Sequence, residues 1–201
     1  KIITLDYRKK SNKSFKLKQW DIVNIDSDIQ FQPEGIPALL DPILNNKAEI
    51  VFGNRFQEVS DSSDYTSNVL RDYGNMIIAK IVSILTKKKF TDISAGFKAW
   101  TRNAIMNTGF EDEHYCSFPE NAIRAVKAGF DIVEIPILNY ADRTKGYSIH
   151  KTKFGLIIGG ANFIYKSFRT SILLYFNPNN KPFWLQYIDV NPSNNKAIKY
   201  I

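Results

Sequence analysis

Hydrophobic and polar positions change period several times along this chain, and each change marks an element. Ile2-Ile3-Thr4-Leu5 is a short strand candidate, and the Lys/Ser/Asn-rich stretch to residue 19 reads as an exposed loop. Trp20 to Ile25 is an apolar, β-leaning segment that stops abruptly at Asp26. Pro33-Glu34-Gly35-Ile36-Pro37 opens a helix that runs to about Asn45, with Ile36, Leu39, Leu40 and Ile43 on one face. Ala48 to Gly53 reads as a buried strand with Asn54 and Arg55 at its tip. Gln57 to Ser67 is polar and aperiodic, the pattern of a mobile loop. Val69 to Leu85 is the clearest helix, with Ile77, Ile81, Ile84 and Leu85 at helical spacing. Thr101 to Asn107 and Pro119 to Ala128 predict two more, Gly129 is a stop signal, and Asp131 to Ile137 alternates as a strand. Strands separated by helices predict an α/β sheet of largely parallel strands.

Residues 154–176 are apolar and aromatic, but Lys166 and Arg169 interrupt them. A membrane span needs about 20 uninterrupted apolar residues, so two readings remain: an interfacial helix with cations reaching to headgroups, or a core-packed amphipathic helix. The Asn- and Pro-rich tail from Asn177 onward predicts no element.

With 201 residues, 44% of them hydrophobic and 23% charged, the chain has the composition of one ordinary globular domain. One cysteine, Cys116, excludes an internal disulfide and favours a reducing compartment. The chain begins at Lys1 with no visible signal peptide, which raises the expectation of a fragment or a processed chain. The net charge of +7 is uneven. Residues 1–20 hold seven Lys/Arg against Asp6, and residues 142–201 hold nine against Asp142 and Asp189, leaving the middle net acidic. Basic ends suit anionic lipid headgroups as well as nucleic acid. No zinc-finger spacing, RNA-recognition signature or helix-turn-helix pattern is present, so no nucleic-acid partner is expected.

The acidic centre includes Asp26-Ser27-Asp28-Ile29-Gln30 at a strand tip. Alternate residues of an extended chain face one side, so Asp26, Asp28 and Gln30 can converge as three hard oxygen ligands. Such a set suits Mg²⁺ or Mn²⁺, which usually take a substrate's phosphates as further ligands. An Asp-rich turn capping the next helix is the alternative. Glu111, Asp112, Glu113, His114 and Cys116 look like crowded metal ligands, but adjacent residues cannot all face one ion, and an acidic solvated loop is expected there.

Four segments in order resemble a family 2 glycosyltransferase of the GT-A type, in particular the dolichol-phosphate mannose synthases and other polyprenyl-phosphate glycosyltransferases. They are D-S-D-I-Q-F-Q-P-E (Asp26 to Glu34), V-F-G-N-R-F (Val51 to Phe56), T-D-I-S-A-G-F-K-A-W (Thr91 to Trp100), and E-I-P-I (Glu134 to Ile137) followed by R-T-K-G-Y-S (Arg143 to Ser148). The resemblance runs from about Asp21 to Ser148. It implies a Rossmann-like, mostly parallel GT-A sheet with flanking helices, incomplete at its N-terminal side, over residues 1–150. Residues 151–201 then form an amphipathic C-terminal segment.

The resemblance also assigns roles. Asp26, Asp28 and Gln30 would hold the Mg²⁺ or Mn²⁺ that bridges a nucleotide's diphosphate. Arg55 and Arg71 would reach the donor diphosphate. Asp92, ahead of Ser94-Ala95-Gly96, would bind sugar hydroxyls or orient the nucleophile. Arg143 and Ser148 would meet the acceptor phosphate, Arg143 counting with Asp92 as catalytic. Glu120 sits where some relatives carry an acid near the acceptor, though it equally suits a first helical turn. The implied activity is inverting transfer of a hexose from a UDP- or GDP-linked sugar to a polyprenyl or dolichyl phosphate, by a membrane-associated enzyme at the cytoplasmic face.

The chain departs from that pattern in two places. Ile149 follows Ser148 where many relatives have Lys, with Lys151 and Lys153 further on. The family's P-x-x-N-E strand start and D-D-G-S segment, which hold base and ribose, are absent. A homo-oligomer, or a partner chain supplying the nucleotide-binding half, is therefore among the expectations. So are a transferase acting on a glycan, glycolipid or protein, and a non-catalytic subunit of the same fold.

Overall fold

The computed structural model describes residues 2–3, 21–25, 31, 33–57, 69–111, 116–137, 153–180 and 182. The elements run β1 (Ile2–Ile3), β2 (Ile22–Asn24), a 3₁₀ turn (Pro33–Gly35), α1 (Ile36–Leu44), β3 (Ile50–Asn54) and α2 (Val69–Thr86). After them come β4 (Lys98–Trp100), α3 (Arg102–Thr108), α4 (Ser117–Lys127), β5 (Ile132–Pro136) and α5 (Lys153–Phe176). Thr4, Leu5, the loop to residue 19, Trp20, most of the 57–67 loop and most of the tail lie outside the described residues.

The five strands form one sheet in the order β1-β2-β4-β3-β5. β3 and β5 pair in parallel, whereas β4 is antiparallel to both β2 and β3, and β1 is antiparallel to β2. Of the strands expected from the pattern, β2, β3 and β5 point the same way, whereas β1 runs against them. The sheet is nonetheless mixed, because β1 and β4 pair antiparallel to their neighbours, and β4 was not legible as a strand. It has only three residues and opens with a charged one, too little for period-2 alternation to register.

Alternation along the strands sorts side chains into two cores. Ile50, Phe52 and Trp100 face α2, α3, α4 and α5, with Ala79, Val82, Ala104, Ile123 and Leu174 packed beneath them. Val23, Val51 and Ala99 face α1, whose Ile36, Leu39, Leu40 and Ile43 are all buried, as its spacing predicts. β3 is buried along its whole length. Polar atoms inside the larger core are paired: the Trp100 indole donates to Asn121 Oδ1 at 2.8 Å, and Asn121 Nδ2 donates to Thr108 Oγ1 and the Gly109 carbonyl.

α2 buries a different face from the expected one. Ile77 and Ile84 are 54% and 66% exposed, while Ile78, Ala79 and Val82 are buried. Between Met76 and Leu85 the helix is apolar nearly all round, so two stripes satisfy helical spacing and packing selects between them. The chosen face also hides its hydroxyls: Ser83 and Thr86 donate to the carbonyls four residues back, Ala79 and Val82. Gly129 ends α4 in the left-handed region (φ +81°), as its position suggests. α5 packs on α2 and α4 through Ser167, Thr170 and Leu174, and leaves Ile157, Tyr165, Phe168 and Ile172 exposed. Among the described residues no helix is long and apolar enough to cross a membrane.

Gly53 is where two backbones meet most closely. A Cβ there would lie 2.8 Å from Ile137 Cγ1 and Cδ1 and 2.9 Å from the Phe97 carbonyl oxygen. Gly53→Ala is expected to destabilise the protein by about 1–3 kcal/mol, read as a lower denaturation midpoint in urea.

Candidate active site at the carboxyl edge of the sheet

Because β2, β3 and β5 run the same way, their carboxyl ends share one edge of the sheet, and antiparallel β4 begins there. Ligands of open α/β sheets bind beyond this edge. The segment leading into β4 is stitched to it from both sides. Asn24 Nδ2 donates to the Gly96 carbonyl at 2.7 Å, and Gly53 N donates to the Phe97 carbonyl at 2.8 Å. Ile137 N donates to the Asn54 carbonyl at 3.0 Å, closing the β5 side.

Within this frame Asp92 has no exposure to solvent and is held chiefly by Arg55. Arg55 Nε lies 2.7 Å from Asp92 Oδ2 and Nη2 lies 2.8 Å from Oδ1, a two-pronged pairing, and the Arg55 backbone N–H donates to Oδ2 at 3.0 Å. Arg55 Nη2 also donates to Ser94 Oγ at 2.7 Å, while the Ser94 amide and hydroxyl donate to Asp92 Oδ1. Burial pushes the Asp92 carboxyl up, but Arg55, through charge and hydrogen bonds, and then the Lys98 charge outweigh it and leave the pKa below the ordinary 3.8. The structure thus joins two residues expected to act separately. Arg55 and Asp92 are one internally neutralised unit.

Three residues that the pattern did not single out position this unit. The Glu134 carboxylate, on β5, accepts from the Thr91 amide and hydroxyl and from the Asp92 amide at 2.8–3.1 Å. Asn54 Nδ2 donates to Thr91 Oγ1, and Asn54 Oδ1 accepts from the amides of Phe56 and Gln57. Lys98 is fully buried; its ammonium donates to the Ile93 and Ala95 carbonyls at 2.7 Å and lies 4.2 and 4.6 Å from the centroids of Phe52 and Phe118. A lone Glu in the alternating D-I-V-E-I-P-I strand was the available signal for Glu134. Lys98 gave none beyond its aromatic neighbours in sequence.

The remaining candidates divide. Arg71 lies in the first turn of α2 with its Nε 4.0 Å from Asp72 Oδ1. Glu120 is buried in the first turn of α4, accepting from the Glu111 amide at 2.9 Å and from Arg124 Nε at 2.8 Å. Arg124 continues to Glu111 and to the Asn180 carbonyl, so this network ties the loop after α3 to the end of α5. Burial raises the Glu120 carboxyl despite those partners. Cys116 is buried, its thiol raised by burial and by Glu120. Asp112, Glu113 and His114 lie outside the described residues, as do Asp26, Asp28, Gln30, Arg143 and Ser148. The flanks of the D-S-D segment are described: it leaves β2 after Ile25, and Phe31 stacks on Phe97 at 5.5 Å and 9°. Among the described residues no three His, Cys, Asp or Glu side chains gather as a metal group.

No family model matches the chain. It is 26% identical over 127 residues to the UDP-N-acetylglucosamine–dolichyl-phosphate N-acetylglucosaminyltransferase of Methanococcus voltae, covering 62% of this chain and 50% of the relative. It is 29% identical over 131 residues to the undecaprenyl-phosphate mannosyltransferase of Micrococcus luteus, covering 63% and 51%. The chain therefore spans about half the length of the curated relatives it matches. Among solved structures it is similar to glucosyl-3-phosphoglycerate synthase from Mycobacterium tuberculosis, determined with Mn²⁺ and UDP, at a TM-score of 0.48 and 16% identity over 77% of this chain and 48% of that one. In sequence the chain is thus similar to glycosyltransferases named for polyprenyl-phosphate acceptors.

Asp92→Asn removes the carboxylate that the buried Arg55 guanidinium grips and is expected to cost about 3–5 kcal/mol, measured by urea denaturation. The double variant Asp92→Asn/Arg55→Met should recover part of that loss, giving a clear coupling in the double-mutant cycle. Because the folded-state pKa of Asp92 lies below its unfolded 3.8, its stabilisation is complete above that pH and drains away as pH falls below it. The double variant should lack this contribution to acid unfolding.

Proposed function

We propose that this chain forms the acceptor-side part of an inverting glycosyltransferase. It moves a hexose from a UDP- or GDP-linked donor to a polyprenyl or dolichyl phosphate at the cytoplasmic face of a membrane. The observation that carries the reading is the meeting, at one sheet edge, of the strand that leads into D-S-D, the Asn54-Arg55 tip, the Thr91–Phe97 segment and the strand that leads toward Arg143. The names of the relatives support the acceptor class.

In this reading Asp26, Asp28 and Gln30 hold Mg²⁺ or Mn²⁺; two carboxylates and an amide oxygen are the hard donors such ions select. The bound ion supplies charge neutralisation to the departing nucleoside diphosphate. Arg55 and Arg71 add positive charge on the donor side. Asp92, ionised at neutral pH and fully engaged by Arg55 and Ser94, shapes the Thr91–Phe97 segment on the sugar side and is too acidic to serve as a strong base. A strong base is not required. An acceptor phosphate monoester is already ionised at pH 7, so Arg143 and Ser148 need only hold one of its oxygens in line with the anomeric carbon. The new C–O bond forms as the bond to the nucleoside diphosphate breaks, inverting the centre. Ile149, in place of a lysine after Ser148, favours as second reading a glycan, glycolipid or protein acceptor.

The test is a transfer assay on the complete protein in membranes with labelled UDP-glucose, UDP-GlcNAc or GDP-mannose. Label is expected in the organic extract for one donor, lost with EDTA and reduced by about 10²-fold or more in Asp28→Asn. Arg143→Ala should raise KM for the lipid phosphate. No lipid-phase label from any donor, or full activity in Asp28→Asn, would overturn the reading.

A further inference from the structure

A groove along the C-terminal half of α2 takes no part in the chemistry proposed above. It encloses about 620 Å³. Met76, Ile84 and Phe90 supply apolar walls, Lys80, Lys87, Lys88 and Lys89 supply four cations, and among the described residues no carboxylate lines it. No ion pair among the described residues involves these four lysines. The lining also includes Phe56 and Thr91, the residues next to Arg55 and Asp92, so the groove adjoins the candidate active site.

Two further features bear on what it could hold. Lys87 sits at φ +59°, in the left-handed region where glycine is the usual occupant after a helix, so its side chain is kept at a backbone cost. The surroundings are apolar and cationic together. α2 exposes Tyr73, Met76, Ile77 and Ile84, and its only acid, Asp72, is buried. α5, packed against α2, contains no acidic residue in 24 positions while exposing its own aliphatic and aromatic side chains. Exposed isoleucines between lysines match an acyl–headgroup boundary, where alkyl chains and phosphates lie within one side chain's reach.

We infer that this groove seats the phosphate headgroups of acidic bilayer lipids, with Met76 and Ile84 against the upper acyl region and the four lysines on the phosphates. α2 is then a membrane-contacting element beside α5, and it sets the candidate active site at the height of the headgroups. The inference rests on the membrane-surface part of the proposed function.

Co-sedimentation of the full chain with phosphatidylcholine vesicles, with and without phosphatidylglycerol, tests it. Wild type is expected to bind the acidic vesicles, with affinity falling as salt rises. Each neutralised groove lysine should weaken binding about fivefold. Lys88→Gln/Lys89→Gln tests this directly, with Lys47→Gln/Lys127→Gln, outside the groove, as the charge-matched control. Lys87→Gly is the sharper variant: relief of the left-handed backbone should leave it at least as stable as wild type to urea, yet it should bind acidic vesicles less well. If the groove variants bind like wild type while Lys166→Gln/Arg169→Gln loses binding, the groove assignment is wrong and the membrane reading stands on α5. Wild type that binds neither vesicle overturns both.

Discussion

A carboxylate wholly removed from water survives at the centre of this protein because donors close around both of its oxygens. Asp92 receives the Arg55 guanidinium in a two-pronged grip, the Arg55 amide, and the amide and hydroxyl of Ser94. Much else depends on that arrangement. It fixes the tip of β3 relative to the segment that enters β4, and so holds the edge on which the candidate active site is built. Loss of either partner would strand a charge in the interior, where desolvation is worth several kcal/mol.

The surroundings extend the same logic. Glu134 reaches from β5 to gather the Thr91 and Asp92 amides, and Lys98 gathers the Ile93 and Ala95 carbonyls from below. A short stretch with little regular structure thereby acquires a defined shape from a cation on one side and an anion on the other. The electrostatic outcome is an aspartate held ionised and a poor base. That suits a reaction whose nucleophile already carries charge, in which position matters more than proton transfer.

Legibility in the sequence followed the length and regularity of each pattern. The α1 stripe of Ile36, Leu39, Leu40 and Ile43, the strands around Ile22, Val51 and Val133, and the stop at Gly129 were readable, since each rests on local periodicity or local backbone preference. The three-residue β4 was not, and without it the mixed pairing of the sheet was hidden. α2 could be seen as a helix, but its near-continuous apolar surface left the buried face open. Of the candidate site, Arg55 and Asp92 stood out in the sequence as separate residues, but not as partners.

What the sequence determined by itself was the longer elements and which polar and charged residues stand at their ends, because hydrophobic period, turn residues and motif composition act over a few residues. What only the tertiary structure decided was which of those residues meet. Arg55 and Asp92 are 37 positions apart, and Glu134 reaches its partners across 42 and 43. Such pairs exist only after β3, β4 and β5 have packed into one sheet. The packed interior then pairs its charges because unpaired burial is too costly, and no local pattern records which partner that will be.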